Sequence, residues 1–139
     1  MSLKAAKATA WKWCSLYIRL RDSIDGGRVK CCTCNTWKSF REMEAGHYFP
    51  KGSGSGRYIE FDVDNIHPQE TSCNHYKSGN LAVYTEYMTE RYGHDIFARL
   101  QQRNDLNRFK IIKESGYREL ANEFRLLAHT EAKRVGVKL

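Results

Sequence analysis

Three cysteines fall within four positions, Cys31-Cys32-Thr33-Cys34, in the most turn-rich part of the chain, and another, Cys73, lies well downstream. This cluster constrains the fold more than any other feature. The surrounding stretch is rich in glycine and can bury little apolar surface, so it needs a covalent or metal clip to hold a shape. Five cysteines, with Cys14 as the remaining one, make an odd set and a poor disulfide framework, whereas the C-x-x-C pair Cys31 and Cys34 suits a tetrahedral Zn²⁺. Asn35 follows the pair and can take the left-handed turn that such a loop requires. Two more ligands are needed. Cys73 supplies one, and Glu70 or His75 the other, Glu70 standing where the first cysteine of a second C-x-x-C would fall. Cysteines used this way, with no signal-like apolar segment over residues 1–12 and no apolar run long enough to span a bilayer, lead to the expectation of a cytoplasmic protein without membrane contact.

On either side of this centre the periodicity is helical. From Lys4 to Arg21, Trp11, Cys14 and Ile18 recur at spacings of three and four among lysines and arginines, which predicts a basic amphipathic helix over 5–22, ended by Asp25-Gly26-Gly27. Residues 28–80 form the core region. It holds β-prone pieces at Val29, Trp37–Phe40, His47–Phe49 and Tyr58–Phe61, the last two read as a hairpin joined by the run Lys51-Gly-Ser-Gly-Ser-Gly-Arg57. That run is a connector or a backbone able to settle against phosphate, with Lys51 and Arg57 at its rims. Residues 81–139 return to helix. Leu81, Tyr84 and Met88 lead to a break at Gly93, then Ile96, Phe97 and Leu100, and a further helix over 116–134 carries Leu120, Phe124, Leu127 and Ala128 on its core face. With 41% hydrophobic residues in 139, one domain with one core is expected.

Charge follows the same division. The net charge of +7 splits into +5 for residues 1–34, −1 for 35–80 and +3 for 81–139. Basic flanks can grip a polyanion while a mildly acidic centre holds a cation, with Lys4, Lys7, Lys12, Arg19, Arg21, Lys51 and Arg57 as candidate DNA contacts. Within the centre, a zinc clip would let His47, Asn65, His67 and Asn74 converge, with Lys77 a further candidate. If Asn65–His67 is extended, Asn65 and His67 point the same way and Pro68 ends the strand; if Cys73 opens a helix, Asn74 and Lys77 share one side of it.

The order C-x-x-C, then Gly46-His47-Tyr48, then F-D-x-D-N-x-H-P-Q over 61–69, then C-N-x-x-K-S-G-N over 73–80 resembles the HNH (ββα-metal) nucleases, in particular the phage recombination endonuclease family NinG, also called Rap. The likeness extends from Trp11–Arg21 through the segment Tyr84–Leu100. It implies an α+β fold, a zinc-stapled ββα-metal core flanked by helices, in a phage or prophage protein working in a bacterial host. The activity implied is metal-dependent hydrolysis of branched recombination intermediates such as Holliday junctions and D-loops. The resemblance makes His47 the general base, Asn65 its orienting brace and Asn74 the late His/Asn position by a catalytic Mg²⁺ or Mn²⁺. Two positions depart from it: Gly46 stands where HNH proteins often carry an acidic ligand, which transfers that task to His67 with Asp62 or Asp64, and Glu70 replaces a cysteine.

Two other classes of function fit the same residues. A non-catalytic zinc-stapled DNA-binding module would use the basic flanks alone, and a structural phage factor binding protein partners would leave the His/Asn constellation without purpose. DNA is the expected partner, with homodimerisation left open.

Overall fold

The computed structural model describes residues 2–52 and 54–139; within the glycine-serine run, Ser53 lies outside them. Its elements are helix α1 (Leu3–Arg21), strands β1 (Arg28–Lys30), β2 (Trp37–Ser39), β3 (Glu44–His47) and β4 (Ile66–Gln69), then helices α2 (Leu81–Tyr92), α3 (Ile96–Asn107) and α4 (Glu114–Val135). A 3₁₀ turn, Val63–Asn65, precedes β4, and a π-helical turn, Ser72–Tyr76, follows it. The fold is thus a mixed α+β one with two small antiparallel sheets, β1–β2 and β3–β4.

Helix α1 begins at Ser2, whose hydroxyl accepts the Ala5 amide at 3.1 Å, and ends with Arg19 and Arg21 in its last turn, where the helix dipole favours cations. Its buried residues Ala6, Ala10, Cys14 and Ile18 recur every four positions. In α4, Ala121 packs with Ala6 and Ala10 while Ala128 and Ala132, further along, pack with Leu20, so the two helices lie side by side in the same direction. Arg134 of α4 donates to the carbonyls of Leu20, Arg21 and Ser23, each at 3.1 Å, and so closes the C-terminal end of α1. The expected core face of α4 is rotated: Tyr117, Ala121, Phe124, Ala128, Ala132 and Val135 are buried, while Leu127 is exposed.

The β3–β4 register pairs Glu44 with Gln69, Ala45 with Pro68, Gly46 with His67 and His47 with Ile66. Side-chain alternation puts Glu44, Gly46, His67 and Gln69 on one face and Ala45, His47 and Ile66 on the other, where Ala45 and Ile66 pack with Cys14, Ile18 and Phe124. Two expectations fail here. Tyr58–Phe61 is not a strand, because the Tyr58 amide donates to Asn104 Oδ1 of α3 and the amides of Ile59 and Asp62 close local turns. Pro68 lies inside β4 rather than ending it; its carbonyl points away from β3 and accepts the Cys32 amide at 2.9 Å, so its missing N–H costs the ladder nothing.

Candidate functional site

The knuckle between β1 and β2 and the π-helical turn after β4 bring Cys31, Cys34 and Cys73 together, their sulfurs within 4.8 Å of one another. Asn35 takes φ 63° and turns the knuckle as expected. Cys31 and Cys73 are fully buried. Burial pushes the Cys31 thiol up, but the Glu70 amide, 3.2 Å from its sulfur, and the Thr33 hydroxyl outweigh it and leave the pKa lowered. Burial raises Cys34, and the Glu70 carboxylate, 3.1 Å from its sulfur, raises it further. Of these two, Cys31 is the readier to lose its proton, and Cys34 would need a cation beside it to do so. Three sulfurs with a carboxylate at their rim fit zinc. Glu70 also pairs with Lys38 at 2.9 Å. His75 is not the fourth ligand, since its Nε2 donates to Glu44 at 2.7 Å, away from the sulfurs.

A groove of about 690 Å³ runs beside β3, lined by Trp11, Ser15 and Arg19 of α1, by Glu44, His47 and Lys51, and by Asn74, His75 and Ser78. The His47 ring stacks on Trp11 with centroids 4.9 Å apart, and its Nε2 lies 2.8 Å from the Glu60 carbonyl. A carbonyl can only accept, so Nε2 carries the proton and the lone pair is on Nδ1, which has no hydrogen-bond partner among the described residues. Burial holds the His47 pKa below its ordinary 6.5, so the ring is neutral at pH 7. Across the groove, Glu44 Oε1 accepts Asn74 Nδ2 at 2.9 Å as well as His75, and Oε2 accepts the Thr71 hydroxyl at 2.7 Å. Burial pushes the Glu44 carboxyl up, but these bonds outweigh it and keep it ionised.

The other expected site residues sit elsewhere. His67 is fully buried. The Tyr84 hydroxyl donates to the Gly46 carbonyl at 2.6 Å, so His67 Nδ1 donates to Tyr84 at 2.9 Å, and Nε2 accepts the Tyr92 hydroxyl at 2.7 Å. Both nitrogens are occupied, and burial holds the pKa well below 6.5, so His67 braces the hairpin rather than serving reaction or metal. Asp62 and Asp64 are engaged by Arg103 at 3.0 and 2.9 Å and do not join it. Asn65 is buried and its amide bonds both backbone groups of Phe49, so it fixes the chain after His47 while the Glu60 carbonyl orients the ring. Lys77 is exposed and outside the groove lining.

Of the basic residues, Arg21 is a structural brace: its guanidinium grips Asp22 at 2.8 and 2.9 Å and donates to the carbonyls of Val63 and Ile66. Arg19 lines the groove but donates to the Phe40 carbonyl at 2.7 Å. Lys4, Lys12 and Arg57 are exposed, and Lys7 pairs with Glu60 at 2.9 Å. Lys51 stands 5.3 Å over the Trp11 ring and lines both the groove and a second one of about 580 Å³ that Lys7, Arg57 and Lys110 also border. Sequence reasoning missed Glu44; the signal for it was an acidic residue on the same strand face as Gly46, two positions ahead of it.

A family model described as Bacteriophage Lambda NinG protein matches residues 3–131. Protein ninG of Escherichia phage 933W is 30% identical over 95 residues, which cover 68% of this chain and 44% of that protein. Protein ninG of Salmonella phage P22 is 38% identical over 77 residues, 55% of this chain and 34% of that protein, and the protein of the same name from Escherichia phage lambda is 30% identical over 95 residues, 68% and 43%. The matched stretch thus spans less than half the length of these relatives. No solved structure matches at a significant level.

Proposed function

The chain belongs to the NinG family of bacteriophage proteins, and from that premise we propose that it is a metal-dependent endonuclease of the HNH (ββα-metal) type that cuts branched DNA recombination intermediates. The observation that carries this reading is the state of His47. A neutral imidazole lines an open groove with its Nε2–H fixed on the Glu60 carbonyl, leaving the Nδ1 lone pair to accept a proton. In the reaction, a water oxygen bonds to phosphorus, the bond to the bridging 3′ oxygen breaks, and the water's proton passes to His47 Nδ1. A Mg²⁺ or Mn²⁺ held in the groove would neutralise charge at the phosphate and on the leaving 3′ oxygen, which takes its proton from solvent. Asn74, whose Nδ2 is held by the ionised Glu44 on the opposite wall, would offer its one amide oxygen, a ligand of the kind such hard cations take.

Binding falls to the phosphate backbone. Lys51 joins the two grooves, and with Arg57 and Lys110 it makes a basic path leading from His47 along the surface. In this scheme zinc at Cys31, Cys34 and Cys73 is structural, tying the knuckle to the π-helical turn that carries Asn74.

The deciding experiment is incubation of the purified protein with labelled four-way junction, flap and linear duplex, with and without Mg²⁺ or Mn²⁺. Cation-dependent nicks confined to the branched substrates are expected. Tight binding to all three without any cleavage would overturn the nuclease reading in favour of a DNA-binding module.

A further inference from the structure

The connector between α3 and α4, Arg108-Phe-Lys-Ile-Ile-Lys113, holds three large apolar residues and three cations, and all six are exposed. Phe109 is 80% and Ile111 88% exposed, an apolar pair that no core residue covers. The segment is nevertheless held in place. The Lys110 amide donates to the Asn107 carbonyl at 3.0 Å at one end, and the Tyr117 amide donates to the Lys113 carbonyl at 3.1 Å at the other. Between them Ile112 packs so near Gly116 that a Cβ on the glycine would stand 3.0 Å from Ile112 Cγ2. Side chains alternate along the connector: Lys110 and Ile112 line the second groove, whereas Phe109 and Ile111 are turned out to solvent. Two apolar side chains thus project from a backbone fixed by its neighbours.

The groove they flank is basic. Its carboxylates are already matched, Glu60 by Lys7 at 2.9 Å and Asp62 by Arg103 at 3.0 Å, which leaves Lys51, Arg57 and Lys110 as surplus charge. Lys51 also lines the groove that holds His47, so the surplus continues to that ring. Arg108 adds a guanidinium 4.6 Å from the centre of the Phe109 ring. The core of a protein-docking patch is poor in lysine, whereas here cations stand between and beside the apolar residues, as on surfaces that hold phosphates and stack bases. We infer that Phe109 and Ile111 form a wedge that recognises the unstacked bases at a branch point of DNA, with Arg108, Lys110 and Lys113 holding the phosphates around it. Apolar side chains of this kind enter between bases at the cost of unstacking them. That cost is smallest where a branch has already broken the stack, and a continuous duplex gains the phosphate contacts alone. The wedge therefore tells branched DNA from linear, and the groove leads the strand on to His47. The inference rests on the proposed reading in taking DNA as the occupant of the grooves, but not in requiring that it be cut.

Affinity for a labelled four-way junction and for a linear duplex of the same arm sequence, measured without added Mg²⁺ or Mn²⁺, tests the wedge apart from cleavage. Wild-type chain should prefer the junction. The double variant Phe109→Ser with Ile111→Ser should lose about tenfold on the junction and less than about twofold on the duplex, with its thermal midpoint kept because neither side chain is buried. Phe109→Trp should hold the junction at least as well as the wild type. Leu126→Ser, which removes another exposed apolar residue, should change neither affinity. A wild-type chain without the preference, a folded double variant that retains it, or Phe109→Trp that loses it would overturn the inference. So would a double variant whose one change is a lower mass in sedimentation, the mark of a contact between protein chains. Wild-type chain whose preference depends on the wedge yet which never cuts keeps the inference and overturns the nuclease reading. Cuts confined to branched DNA that survive in the double variant do the reverse.

Discussion

His47 carries the sharpest consequence at the scale of single residues. On the nuclease reading, in which it is the general base, its replacement by alanine should slow cleavage by roughly two to four orders of magnitude while junction affinity and thermal midpoint change little, because a neutral imidazole contributes little to phosphate binding. Cleavage rate, affinity and midpoint measured on one preparation of His47→Ala check this; full cleavage by a folded variant would remove His47 from the mechanism. His47 and Asn74 were legible in the sequence because the motif order marks them. Glu44 and the Glu60 carbonyl were not, since each matters only through a partner brought near by folding: Glu44 through Asn74, and Glu60 through a backbone atom that no side-chain pattern reports. His67 was misread for the same reason, its tyrosine cage being built from α2.

Among elements, the helices were readable from their apolar spacing, and the break at Gly93 from its residue type; it caps α2 with φ 93°. The partner of β3 was not readable. Tyr58–Phe61 has strand-like composition, but its backbone is claimed by Asn104, and β4 contains a proline that composition alone excludes from a ladder. Cys31 of the knuckle and Cys73 of the π-helical turn share one buried cluster, with Cys34 packed against it, so Cys73→Ser should cost about 3 kcal/mol or more when zinc is bound in the wild type. Calorimetry before and after a strong chelator measures it: the midpoint of the wild type should fall on chelation, that of Cys73→Ser should already be low, and metal analysis should give one zinc per wild-type chain. The junction of α1 with α2 adds a pH dependence. Burial pushes Asp22 up, yet hydrogen bonds from Arg21 and Arg91 win and hold it at about 2, below its ordinary 3.8. The unfolded chain therefore binds this proton first as pH falls. Stability from the group is complete above pH 3.8 and is lost as pH drops toward 2, and Asp22→Asn should remove that part of the acid-side slope in melting curves taken across this range.

For the whole molecule, charge is the property read most directly from sequence, and its distribution survives folding in part. Arg21 is withdrawn into an ion pair and Lys7 is paired with Glu60, whereas Lys4, Lys12 and Lys51 stay at the surface. Removing Lys4, Lys7 and Lys12 together should weaken binding to every DNA alike and flatten the plot of log affinity against log salt by about two units. Filter binding across a salt series is the measurement, and an unchanged slope would place the DNA on another face. The parallel clasp of α1 and α4 bears on a different matter, the order of events while the chain is being made. Helix α1 supplies one wall of the groove through Trp11, Ser15 and Arg19; Cys14 and Ile18 of its buried stripe pack on the β3–β4 hairpin as well, but Ala6 and Ala10 pack with Tyr117 and Ala121 of α4, and Arg134 of α4 caps its C-terminal carbonyls. During synthesis α1 emerges first and α4 more than 90 residues later, so that wall is not fully held until α4 has left the ribosome. On the nuclease reading proposed above, the groove beside His47 would stay incomplete until α4 has docked.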